Sequence, residues 1–243
     1  MERSRSVLVP TIILLALIPV LAALGFWQLQ RAQEKRALQH EYDERIDAAP
    51  LRMSADMPTT PEQWRFRRVL ARGRYDVAHQ LLIDNRVHNG APGYHVITPL
   101  QLEGSETRLL VNRGWIPLGE SRQRLPDIET PGNVQEIKGT AIVPADKVFT
   151  LSEPPRSATG WQTVWPYLDM QRFRTSVSFP IQSVTVLLDA DVPHGFLRKW
   201  GRLDAGIAVH QGYAFQWFAL ATLAAVILGV MWYRAGRKKR ESK

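Results

Sequence analysis

The chain has 243 residues, no cysteine and a formal net charge of +8 at pH 7. Without cysteine there can be no disulfide, iron–sulfur cluster, zinc ribbon or thiolate copper site, although an oxidising compartment tolerates cysteine-free proteins. Arg3 and Arg5 against Glu2 give residues 1–6 a charge of +1, and six basic residues against Glu241 give residues 234–243 a charge of +5, leaving +2 for everything between. The excess therefore sits in a short tail rather than across a face, which argues against nucleic acid as the partner.

In chain order, residues 7–26 come first, with no charge in 20 positions. A bilayer core of about 30 Å needs about 20 helical residues, so this stretch is expected to span. Pro10 and Pro19 lie inside it, and membrane helices tolerate proline. The basic "MERSRS" and Ala23-Leu24-Gly25 would also suit a cleaved signal peptide, but the apolar run exceeds the usual core of about 7–15 residues. An uncleaved anchor is the expectation. Residues 28–47 hold good helix formers and no Gly or Pro, so the helix is expected to continue beyond the membrane. The prolines of 48–63 mark a loop.

Residues 66–75, 79–87, 94–102, 107–116, 134–143 and 184–190 read as strands separated by turn clusters. The Pro-rich, aromatic stretch 152–173 ends in an expected short helix. The fold class predicted is a membrane protein with two transmembrane α-helices flanking an α+β, mainly antiparallel domain, sandwich or barrel-like. The second span is 213–233, with no charge in 21 positions, and the basic tail 234–243 follows it. That tail is the strongest cytoplasmic signal in the chain. Both termini are therefore expected in the cytoplasm, with 27–212 outside; in a bacterial inner membrane that domain would be periplasmic. Trp27 and Tyr213 would mark the outer interface, Trp232 and Tyr233 the inner one.

No G-x-S-x-G elbow or Gly-rich phosphate loop occurs, so hydrolase and nucleotide readings have little support. His79, His88 and His95 invite a metal reading. If residues 88 and 93 oppose each other across a hairpin at 89–93, however, His95 faces Arg86, a poor neighbour for a cation. Trp115 is expected in the core where the fourth strand leaves the sheet. His210 differs, because an ionisable group at a membrane interface points to function. At helical spacing it shares a face with Tyr213, Ala214, Trp217, Ala221, Ala224 and Leu228. Imidazole is an axial ligand to haem iron, and aromatic walls with alanine gaps suit a planar ring; an interfacial cap is the plainer alternative.

Four segments carry a family resemblance. They are "GFWQLQRAQEKRAL" (25–38), "DNRVHNGAPGYHVITPL" (84–100), "LLVNRGWIP" (109–117) and "HQGYAFQWF" (210–218). In this order, between two spans, they resemble the surfeit locus protein 1 family. The resemblance implies a non-enzymatic assembly factor for haem-copper cytochrome c oxidase, handling haem a for the catalytic subunit, with that subunit and other assembly factors as partners. The family's second-span histidine matches His210, although the residues flanking it here depart from the family pattern. Trp27, Gln28 and Arg31 are then expected to face His210 across the interface. His210 would ligate iron, Arg31 would pair with a propionate, and Tyr213 and Trp217 would pack the ring. A scaffold that gathers oxidase subunits and never touches haem is the alternative.

Overall fold

The computed structural model describes residues 2–55, 60–144, 160–201 and 203–241. Two compact units emerge, one of Glu41–Arg202 and one of Met1–His40 with Leu203–Lys243.

The first unit is built on strands β1 (Leu51–Arg52), β2 (Arg68–Tyr75), β3 (Leu81–His88), β4 (Ala91–Leu102), β5 (Arg108–Pro117), β6 (Gln135–Ile142), β7 (Val164–Trp165) and β8 (Ile181–Leu188), with a short helix α2 at Met170–Ser176. Five of them close a ring. The order β2-β6-β8-β5-β4 returns to β2 through Gly73–Tyr75 paired with Leu100–Leu102. Pairing within the ring is antiparallel except between β5 and β8. Closure leaves the ring without a free edge. The turn back onto β4 needs Gly73, where a Cβ would collide with the backbone carbonyl of Gln101.

Alternation explains the interior. Val69, Ala71 and Tyr75 of β2, Ile137 and Ala141 of β6, and Val184, Val186 and Leu188 of β8 are buried in one cluster. β4 and β5 read instead as near-continuous apolar runs, because both of their faces are covered. On the outer face Leu81, Ile83, Ile97 and Leu110 meet Trp165, Met170 and Phe173 of β7 and α2. The Asp169 carboxylate caps α2 by accepting from Arg172 N at 2.9 Å.

Two readings of this unit are corrected. His88 pairs with Ala91, not residue 93. Asn89 (φ 49) and Gly90 (φ 80) form a two-residue turn, which suits the strand twist better than a longer loop. A bulge at Asn85 then sets Arg86 opposite Gly93 and His95 opposite Ile83. Trp115 is half-buried on the sheet surface, donating Nε1–H to Arg86 O at 2.8 Å, while Arg113 is fully buried. A bulge at Gly114 (φ 120) shifts the inside–outside parity between the two. Of the Pro-rich stretch, residues 152–159 lie outside the described residues.

The second unit is a helix pair formed by α1 (Glu2–Ile46, of which residues 2–40 belong here) and α3 (Ile207–Glu241). At about 1.5 Å per residue α1 is about 67 Å long, far more than a bilayer core needs. Its buried or half-buried residues include Leu14, Ile18, Leu21, Gly25, Gln28 and Ala32, and those of α3 include His210, Ala214, Trp217, Ala221, Ala224 and Leu228. Both sets advance by alternating threes and fours, the 3.5-residue period of a two-helix seam. Small residues bring the backbones close; a Cβ on Gly25 would stand 2.7 Å from the Phe218 ring. Phe26 packs edge-on to Phe218 at 5.2 Å. Ile12, Ile13, Val20, Phe215, Leu223 and Val226 point away from the seam and are more than half exposed. Such a surface is unstable in water, and the two apolar helices mark the chain as membrane-associated.

Candidate functional site

His210 lies in the first turn of α3, on the seam rather than on the outward face. Its Nδ1 is 2.8 Å from Gln28 Oε1 on α1. A carbonyl oxygen only accepts, so Nδ1 carries the proton and donates it, and the lone pair is left on Nε2. Among the described residues Nε2 makes no hydrogen bond. It is suited to coordinate a metal, and a single imidazole supplies one position. No group of three or more His, Asp or Glu assembles a metal site among the described residues.

The remaining residues singled out from the sequence surround this pair without closing on it. Arg31 Nη1 is 2.7 Å from Glu34 Oε2, and its guanidinium lies 5.8 Å from the Trp27 ring centroid. Both Trp27 and Tyr213 are about half exposed. Trp217 is half-buried on the seam. Among the described residues none of these rings forms a ring pair with the imidazole. The structure thus joins His210 to Gln28 and keeps Trp27 and Arg31 together on the neighbouring face of α1.

The segment before α3 is fastened to the barrel by a buried and a half-buried arginine that residue patterning does not mark. Arg113 is fully buried on β5 with its guanidinium 4.9 Å from the rings of Tyr75 and Phe196. It donates Nε–H and Nη2–H to His194 O at 3.0 and 2.7 Å, Nη2–H to Glu129 O at 2.7 Å and Nη1–H to Thr130 Oγ1 at 2.6 Å. Burial lowers its pKa, while Tyr75 and Glu129 oppose the shift. Tyr75 is pushed up to about 12, chiefly by burial. Arg198 likewise donates to the carbonyls of Asp189 (2.5 Å), Val192 (2.6 Å) and Ala190 (3.1 Å). Leu197 and Trp115 exchange backbone hydrogen bonds.

His95 lies on this side of the sheet. Asn112 Oδ1 accepts from Gly114 N at 3.1 Å, so its Nδ2 faces His95 Nδ1 at 3.4 Å. Trp200 meets the imidazole edge-on at 5.6 Å. Burial, reinforced by the Arg86 charge, lowers its pKa to about 4, so His95 is a neutral structural group at physiological pH.

Fold and site together define a class of protein, a small β-barrel domain carried between two paired apolar helices, with one histidine held on the helix seam. Residues 15–222 match the SURF1 family, and the chain belongs to that family. It is 26% identical over 228 residues to "Surfeit locus protein 1" of Xenopus tropicalis, covering 85% of this chain and 71% of that one. To the protein of the same name from Mus musculus it is 33% identical over 118 residues, 42% of this chain and 38% of that one. It is 28% identical over 94 residues to "Cytochrome oxidase assembly protein SHY1" of Saccharomyces cerevisiae, 38% of this chain and 24% of that one.

Proposed function

We propose that the chain is an assembly factor for haem-copper cytochrome c oxidase, working without catalytic turnover and handling haem a for the catalytic subunit. The yeast relative's own name supports the oxidase. The haem reading is carried by one observation, the imidazole of His210 with Nδ1 held by Gln28 and Nε2 left as a lone pair. The residues present fit one axial position. Bound there, haem a would be a cargo carried to the oxidase. Around it Gln28 orients His210, and the half-exposed rings of Trp27 and Tyr213 offer apolar surface. Arg31 pairs with Glu34 through Nη1, and its Nε–H and Nη2–H are further donors that could serve a propionate. We place the helices in a bacterial inner membrane, with both termini cytoplasmic and the barrel in the periplasm, where it would meet the catalytic subunit and other assembly factors.

The His210–Gln28 bond serves equally as a plain contact across the seam, which supports a second reading, a scaffold that never holds haem. One experiment separates the two. Cells lacking the chain are complemented with wild type or His210→Ala, and the haem a band of their membranes is measured. Haem handling predicts that wild type restores the band and His210→Ala does not; a scaffold predicts that both restore it. Equal oxidase in cells with and without the chain would contradict an assembly role altogether.

A further inference from the structure

We infer that Gln28 is the positioning residue of this site: its side-chain carbonyl fixes the proton on His210 Nδ1 and so leaves Nε2 as the nitrogen that would ligate iron. The inference rests on the reading of His210 as a haem ligand. It names the atom that binds and the residue that makes it available. A free imidazole exchanges its proton between two nitrogens, and the Nε2–H tautomer cannot ligate through Nε2. At 2.8 Å from Nδ1, the amide oxygen selects the other tautomer. Both side chains rise from the seam, one from each helix, and are half-buried there, with Gly25 and Ala32 flanking Gln28 on α1 and Ala214 one turn beyond His210 on α3 all buried. The ring plane is thus set from the opposite helix, and the partner of a ligating histidine also governs how strongly the histidine donates.

The plain alternative is a polar contact that only holds the two helices in register. A glutamate at position 28 as carboxylate is a stronger acceptor than the amide, and a leucine accepts nothing. The full chain is purified in detergent from cells that make haem a, as wild type, Gln28→Glu and Gln28→Leu. The iron–histidine stretch of the ferrous protein is recorded by resonance Raman, and haem retention is measured by dilution. The stretch is expected at higher wavenumber in Gln28→Glu than in wild type and at lower wavenumber in Gln28→Leu. Retention in Gln28→Leu is expected to be about 10- to 100-fold weaker. Helix pairing, followed by SDS titration, is expected to survive in Gln28→Glu. If the leucine variant does not fold, the glutamate shift alone decides. A wild type that binds haem a while the folded variants share its stretch and retention overturns this inference and leaves His210 as ligand. A wild type that takes up no haem a overturns the reading of His210, and the role of Gln28 with it.

Discussion

At the scale of single residues, two buried polar groups make opposite demands. Among the described residues Arg113 pairs with no carboxylate, and its charge is spread over the carbonyls of Glu129 and His194, the Thr130 hydroxyl and two aromatic faces. A lysine cannot span these acceptors at once. Each buried carbonyl left unpaired costs about 1–3 kcal/mol. Arg113→Lys should therefore lower the stability of the barrel unit by that order in a urea titration, and an unchanged midpoint would rule out the stapling role. His95 contributes a pH-dependent part of the stability. Its pKa is about 4 in the fold against about 6.5 unfolded. The unfolded chain binds the extra proton first, so stability from this group is complete above about pH 6.5. It falls as pH drops toward 4 and levels off below. Melting temperatures measured from pH 7 to 4 should fall less steeply in His95→Gln; parallel curves would contradict it. Neither residue was legible in advance. Trp115 is expected in the core from the sequence, but a single-residue bulge at Arg113–Gly114 buries Arg113 and leaves Trp115 half-buried on the sheet surface.

Among elements, the six longer strands and both long helices were legible, because each carries its own periodicity or length. The two-residue strands β1 and β7 were not, since two residues hold no pattern. The parallel pairing of β5 with β8 joins Leu110 to Thr185, a long-range choice that local alternation cannot encode. The helix seam was hidden for a different reason. When residues are apolar on every side, a hydrophobic period has no contrast, and the seam is marked instead by small residues such as Gly25 and Ala221. That seam makes a prediction. Gly25→Leu puts a side chain into the Phe218 ring and should weaken helix pairing by about 1–3 kcal/mol, the usual cost of overpacking, in an SDS titration. Ala23→Leu, on an exposed position, is the control and should change little. Equal effects would place the seam elsewhere.

For the whole molecule, the order helix–barrel–helix was legible from two uncharged runs and the strands between them, and the family from four motifs. Of the residues singled out from the sequence, His210 and Gln28 are in hydrogen-bond contact and Arg31 lies against Glu34 and Trp27, while the haem roles of all of them belong to the proposal. Helical spacing told which residues share a face of one helix but not which face the other helix covers, and Tyr213 falls beside the seam. The proposed topology predicts that a reporter active only outside the cytoplasm is silent when fused after Lys243 and active when fused at the exposed turn residue Gly104. The reverse pattern would move His210 to the cytoplasmic interface. Haem handling at His210 is tested most directly by the haem content of the purified full chain. Wild type isolated from cells with saturating haem a should show a haem a spectrum, and His210→Ala, folded by circular dichroism, should lose it. A haem-free wild type, or equal haem in both proteins, would contradict the account.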